Sequence, residues 1–304
     1  MRTLPTLRQL TFLVALADRR HFARAAEACL VSQSTLSAAI QELEATLGVA
    51  LFERTRRSLT PTAIGATIIQ RARALLKDAD DMVDAALAAR DPLSGPLTLG
   101  VIPTIGPFLL PRITPKIRRE APNLGVYLRE ERTASPLDRL ETGGIDAAIL
   151  ALPVPVGGVE AEEVAVDRFV VVCPRNHRLV HQASIQPADL ADEDLLLLED
   201  GHCLRERALA ACAFEGARRN VAFQGTSLMT LVQMVGNGLG VTLAPEMAVD
   251  AGLLKGMQAI PLVGSVSSRR IALAWRRTST RRKTFQLLAK ILRETLAAES
   301  CPFT

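Results

Sequence analysis

Cys203 and Cys212 lie nine positions apart in a stretch otherwise rich in alanine and leucine, and they are the residues best suited to chemistry of their own. The thiolate is the reactive form of cysteine, so a reactive cysteine needs access and stabilisation of the anion. Cys203 follows Gly201-His202 and stands where a helix is expected to begin. Backbone N–H groups at a helix start favour a negative charge. His202 could add a hydrogen bond or a charge, whereas Glu199 and Asp200 oppose a thiolate unless their side chains turn away. An oxidised thiol forms a sulfenic acid, which a second thiol can resolve. The ordinary alternative is a pair of buried, inert cysteines on an Ala/Leu-rich helix.

The other cysteines carry less. Cys29 falls in an Ala-rich helical stretch and reads as a small core filler. Cys173 follows a β-branched run and is expected to be buried, and Cys301 lies near the C-terminus. Five cysteines in 304 residues do not make a disulfide scaffold, so any bridge is expected to be transient or catalytic. His177 and His181 are four apart, but the residues between them, Arg178 included, read as a loop rather than a metal site. Gly236-Asn237-Gly238-Leu239-Gly240 follows a helix and precedes a strand, the reverse of the order a dinucleotide fingerprint requires. Arg276, Arg277, Arg281, Arg282 and Lys283 read as a solvated helix start, with nucleic-acid contact as the alternative. No cofactor and no metal is implied.

Three segments must position these groups. Residues 1–62 carry eight arginines against five acidic residues, a net +3 in a chain whose total is +4. They read as short helices from Leu4 to Ala17, from His21 to Leu30, and from Ser34 to Leu47 before Gly48, followed by a basic, β-compatible stretch from Leu51 to Thr60. Residues 63–94 form a linker. In it Ile64, Ile68, Ala72, Leu75, Ala79, Met82 and Ala86 repeat at spacings of four and three, an apolar seam that predicts a dimerising helix. Residues 95–304 alternate strand-like runs with helical ones. The strands expected are Leu97–Ile102, Gly125–Arg129, Asp146–Leu150, Phe169–Val172, Leu195–Leu198, Val241–Leu243 and Ile271–Trp275. This pattern predicts an α/β domain with a mainly parallel sheet, split into two subdomains around a cleft. Hydrophobic residues make up 48% of the chain, enough for sizeable cores. No apolar run reaches the roughly 18 residues that span a bilayer, and the N-terminus lacks a secretory core, so a cytoplasmic location away from membranes is expected.

Two short helices joined by a tight turn make a helix-turn-helix, the second helix entering a DNA groove. That second helix would present Ser32, Gln33, Ser34, Thr35, Ser37, Ala38 and Gln41, small or polar groups able to approach base edges and phosphates. Arg54, Arg56 and Arg57 would line a wing along phosphates. The run Ala25-Ala26 through Val31-Ser32-Gln33-Ser34-Thr35-Leu36-Ser37 resembles the DNA-binding motif of the LysR-type regulators, and the resemblance extends over essentially the whole chain. It implies an N-terminal winged helix-turn-helix, a long linker helix and a C-terminal α/β effector domain of two subdomains that resembles periplasmic binding proteins. It also implies double-stranded promoter DNA as partner, self-association as a dimer or tetramer, possible contact with RNA polymerase, and no enzymatic activity.

Within that family, Glu199-Asp200-Gly201-His202-Cys203-Leu204-Arg205, Ile102-Pro103-Thr104-Ile105-Gly106-Pro107 and Leu109-Leu110-Pro111 resemble the branch that senses hydrogen peroxide. This implies oxidation of Cys203 and a disulfide with Cys212. It also implies a peroxide pocket with His202, the hydroxyls of Thr104 and Thr133, and an arginine at the start of the last strand. That arginine is Arg269 or Arg270; alignment through Ile-Ala-Leu-Ala-Trp-Arg favours Arg269. If one helix carried both cysteines, their Cα atoms would stand roughly 13 Å apart at 1.5 Å rise per residue. A disulfide needs about 4.4–6.8 Å, so bridging would require the segment to unwind. Three other readings compete: a regulator that binds a metabolite in the cleft, a thiol peroxidase using Cys203, and a solute-binding transport protein.

Overall fold

The computed structural model describes residues 4–54, 59–88, 91, 93–131, 134–153, 157–212, 219–254, 256–264 and 267–297. The chain divides into two compact units, Met1–Ala86 with Glu141–Gly144, and Leu87–Leu140 with Ile145–Thr304.

The first unit begins with α1 (Leu7–Arg19), α2 (Phe22–Ala28) and α3 (Gln33–Leu47). Thr6 caps α1 in a reciprocal arrangement with Gln9, satisfying two helix-end donors. Leu10, Leu13 and Leu16 of α1 bury against Leu36, Ile40 and Leu43 of α3, with the small Ala25 and Ala26 letting α2 pack closely between. The hairpin strands β1 (Phe52–Arg54) and β2 (Leu59–Pro61) pair antiparallel, Phe52 opposite Pro61. Helix α4 (Ala63–Ala88) follows. Its first turn is capped by Thr62, whose Oγ1 accepts from the Gly65 N–H at 2.9 Å. A Cβ at Gly65 would lie 2.0 Å from the Leu51 carbonyl oxygen, so the backbones meet only because this residue is glycine.

The expected seam on α4 divides. Ala72, with Ile69, is buried in the core of its own unit, and Ile68 packs on that core. Ile64, Leu75, Met82 and Ala86 remain exposed. A seam wholly free for a partner is therefore corrected: helical periodicity marks an apolar stripe but does not say which surface covers it.

The second unit contains β3 (Gly95–Val101), α5 (Gly106–Glu120), β4 (Leu124–Glu130), α6 (Ala134–Glu141), β5 (Ala147–Ala151), β6 (Val159–Pro174), β7 (Leu195–Leu198), α7 (Cys203–Cys212), β8 (Arg219–Gly225), α8 (Leu228–Gly236), β9 (Thr242–Pro245), α9 (Glu246–Asp250), β10 (Met257–Pro261), β11 (Ser268–Arg276) and α10 (Arg282–Ala297). The strand order is β10-β6-β11-β5-β3-β4, with β9 also on β6. The sheet is mixed, which corrects the mainly parallel expectation. β3 runs parallel to β4 and β5, whereas β11 is antiparallel to β5 and β6, and β6 is antiparallel to β9 and β10. The 16-residue β6 is the reason: its first part pairs with β11 and its last part with β9 and β10. One long antiparallel strand thus serves both lobes. Parallel β7 and β8 adjoin β9, where the Leu196 N–H donates to the Val241 carbonyl at 2.9 Å.

Two arginines of the basic cluster also differ from expectation. Arg276 and Arg281 are buried, and donate to the carbonyls of Leu140 and Ile145 and of Pro96 and Ser94. They tie the ends of neighbouring elements together instead of forming a solvated surface.

Candidate functional site: a redox helix and a buried arginine cluster

Cys203 is the first residue of α7 and Cys212 the last. Gly201, at φ +87°, makes the left-handed turn that brings the chain out of β7 and into the helix. Cys203 carries a free, half-buried thiol at the end where unpaired N–H groups gather. His202 is buried just before it, its carbonyl accepting from the Arg205 N–H at 2.9 Å. Of the two acidic residues upstream, Asp200 turns to a basic partner. Asp200 forms an ion pair with Arg205 at 2.8 Å, and Arg205 Nη1 also donates to the Leu198 carbonyl at 2.8 Å. Arg205, which sequence reasoning passed over, therefore clamps the turn that sets Cys203 in place.

Among its described side chains, α7 packs on the domain through a short apolar stripe. Leu204 and Ala208 are buried and Leu209 is half-buried. A cavity of about 10 Å³ remains beneath it, lined by Leu196, Leu198, Leu204, Ala208, Leu231 and Leu243 among others. Ten helical residues put the Cys203 and Cys212 Cα atoms roughly 13 Å apart, beyond disulfide reach.

Thr104 and Arg269, far apart in sequence, are brought together. Thr104 lies in the turn between β3 and α5, where a Cβ at Gly106 would crowd Glu130 Oε2 and Val101 at about 3 Å. Arg269 is 1% exposed. Its Nη1 donates to Thr104 Oγ1 and its Nη2 to the Thr104 carbonyl, both at 2.8 Å. Its Nε donates to Asp167 Oδ2 at 2.9 Å, and the guanidinium stacks 5.8 Å from the Phe169 ring centroid. Asp167 stands directly opposite Arg269 in the β6–β11 register, and its Oδ1 accepts from the Met247 N–H at 3.3 Å. Burial pushes the Asp167 carboxyl up; the Arg269 charge, the Met247 N–H and Arg112 pull against that. Arg270 points outward to Glu163, while strand alternation turns Arg269 inward beside Thr104. Thr133 lies outside the described residues.

Cys173, by contrast, is fully buried on β6, and burial with Glu193 nearby pushes its thiol up to about 11. His177 pairs with that Glu193 at 3.2 Å.

In the first unit, Ser32 caps α3. Its Oγ accepts from the Thr35 N–H at 3.1 Å and lies 2.9 Å from Ser34 Oγ. Gln33, Ser34, Thr35, Ala38 and Gln41 are exposed along one face, Ser37 is half-buried, and Leu36, Ile40 and Leu43 face inward. Arg54 ends β1, while Arg56 and Arg57 lie outside the described residues.

A winged helix-turn-helix unit followed by a two-lobed α/β unit defines a DNA-binding regulator with an effector domain. Residues 7–66 match the model of the bacterial regulatory helix-turn-helix proteins of the lysR family, and residues 90–297 match that of the LysR substrate binding domain. The chain belongs to the LysR family of transcriptional regulators. It is 37% identical to the HTH-type transcriptional regulator EstR of Acinetobacter baylyi, over 98% of this chain and 99% of that one. It is 39% identical to the hydrogen peroxide-inducible genes activator of Dickeya chrysanthemi, over 95% of each. Among solved structures it is similar to a full-length cysteine-to-aspartate variant of OxyR from Pseudomonas aeruginosa, with a TM-score of 0.79 and 36% identity, covering 96% of this chain and 95% of that one. No helix among the described residues is long and apolar enough to cross a membrane.

Proposed function

We propose that this regulator reports hydrogen peroxide by oxidation of Cys203 and a bridge to Cys212. The observation that carries the reading is their placement at opposite ends of one helix. EstR and the peroxide-inducible activator are similarly identical to this chain, so family membership alone does not choose the signal; the cysteines do.

The Cys203 thiolate attacks one peroxide oxygen, the O–O bond breaks, and hydroxide leaves, giving a sulfenic acid. The Cys212 thiol then attacks that sulfur, forming the S–S bond and releasing water. The protein loses two electrons and peroxide gains them. The oxidised form must then be reduced elsewhere, so the chain acts as a receiver of the signal and not as an enzyme. Arg269 and the hydroxyls of Thr104 and Thr133 orient the peroxide, and the guanidinium stabilises the departing hydroxide. His202 borders the sulfur. Because the sulfurs start too far apart to bond, closing the bridge forces α7 to unwind, a local change able to alter how protomers pair.

The output is double-stranded promoter DNA in the cytoplasm. It is read by Ser32, Gln33, Ser34, Thr35, Ser37 and Gln41 with phosphate contacts from Arg54, Arg56 and Arg57. The exposed Ile64, Leu75, Met82 and Ala86 of α4 serve self-association, and RNA polymerase is a candidate downstream partner. The test is to titrate the full-length protein with peroxide, map disulfides by mass spectrometry and assay promoter binding in parallel. A Cys203→Ser protein that still responds, or identical hydrogen-exchange patterns across 203–212 before and after oxidation, would rule the reading out.

A further inference from the structure

The Arg269 guanidinium has five N–H donors, and its geometry shows where four go. Nε donates to Asp167 Oδ2 at 2.9 Å, with Nη2 ion-paired to the same oxygen, the Nη2 hydrogens face the Thr104 carbonyl and Met247 Sδ at 3.8 Å, and one Nη1 hydrogen faces Thr104 Oγ1. One Nη1 hydrogen is left. Since Thr104 Oγ1 accepts from Arg269, its own proton must point elsewhere. Two donors are therefore not taken up by the described protein groups, the Thr104 O–H and one Nη1–H, both in the buried cluster. Asp167 presents both oxygens to N–H donors, Oδ2 to Arg269 and Oδ1 to Met247, the arrangement of an ionised carboxylate. Its neighbours Arg112 on α5 and Glu246 on α9 oppose each other in sign.

Resting on the peroxide reading above, we propose that Asp167 is the positioning and specificity-determining residue of the site. It locks the Arg269 guanidinium edge-on, leaving only those two donors for a ligand, and it cancels the arginine's charge. The site then takes a small neutral oxygen acceptor such as a hydroperoxide and rejects small anions, which an unpaired buried arginine would capture. Asp167 touches no reactant; it acts through Arg269.

The test measures the rate of Cys203 oxidation by hydrogen peroxide in the full chain, with formate as a small anionic competitor and formamide as its neutral counterpart. The wild-type rate is expected to ignore both. Asp167→Asn is expected to slow oxidation about ten- to a hundredfold through misplacement of the guanidinium, and to gain inhibition by formate, competitive with peroxide, but none by formamide. Asp167→Glu keeps the charge, so it is expected to react slowly yet stay blind to formate. An Asp167→Asn protein that still binds promoter DNA and reacts at the wild-type rate, or shows no formate inhibition, overturns the proposal. Should that variant fail to fold, formate inhibition of the wild type or of Asp167→Glu overturns it, and its absence in both, with slow Asp167→Glu oxidation, supports it. Arg269→Gln separates the two levels. If it reacts normally, the role of Arg269 fails and the proposal with it, while Cys203 oxidation itself stands; if it is slow while Asp167→Asn is normal, the role of Asp167 alone fails; and if the wild-type Cys203 is not oxidised at all, the peroxide reading fails.

Discussion

Helix α7 and the strand pair β6–β11 hold sulfur and charge in opposite ways. On α7, Cys203 is half-buried at a helix end, and the helix rests on Leu204 and Ala208 over a small void. On β6, Cys173 is enclosed among strands paired on both sides, and Arg269 and Asp167 form a buried, multiply bonded pair. Stability is not uniform within a domain, and elements that move come from its weaker end. On the proposed function the labour divides: the paired strands would keep the binding geometry, and the helix carrying both cysteines would supply the response.

The largest expected effect comes from exchanging the two sulfurs' fates. Cys203→Ser is expected to abolish peroxide-dependent change in promoter binding, while Cys173→Ser leaves it intact. A response lost in both would erase the distinction. Next is the arginine. Arg269→Gln is expected to slow Cys203 oxidation about 10²–10³-fold, and to cost about 3–5 kcal/mol of stability because Asp167 stays buried without its partner. Stopped-flow thiol kinetics and denaturant titration of the reduced protein measure the two.

A smaller effect tests the packing of α7 directly. Leu204→Ala removes a buried side chain of α7 and is expected to cost about 2–3 kcal/mol in the reduced form. If the oxidised form no longer buries Leu204, that loss makes the disulfide harder to reduce, by about 40–60 mV. Redox titration against glutathione measures the shift; an unchanged potential would mean that α7 survives oxidation. Smallest is a pH effect on the strand side. The folded Cys173 thiol is raised from 9.0 to about 11, so between those values the folded state holds a proton that the unfolded chain has released. Stability from this group is complete below pH 9 and is lost as pH rises towards 11, by at most about 2–3 kcal/mol. Cys173→Ala should flatten that part of the curve in denaturant titrations.

Much of this was open to sequence reading because it is local. The capped α3 with its Ser32 start, the Gly48 stop and the exposed Ser34, Ala38 and Gln41 follow from spacing within one helix. So does the placement of Cys203 at a helix start, because glycine, then a cap position, then helix formers describe a turn that needs no distant partner. The seam on α4 was legible as a stripe, but which of its residues meet their own core was not.

What the tertiary structure alone decided depends on residues distant in sequence. Asp167 draws no attention in the sequence, yet the register with β11 buries it opposite an arginine 102 positions away. Arg269 and Arg270 are adjacent and chemically identical; strand alternation and a packed Phe169 send one inward and leave the other outside. Arg276 and Arg281 looked solvated because charge usually is, and they are buried because free carbonyls elsewhere need donors. Local propensity and spacing settle where helices begin and what chemistry a segment holds. Burial, pairing and the direction of a charged side chain are properties of the assembled sheet, since they depend on which distant groups arrive to compensate the loss of water.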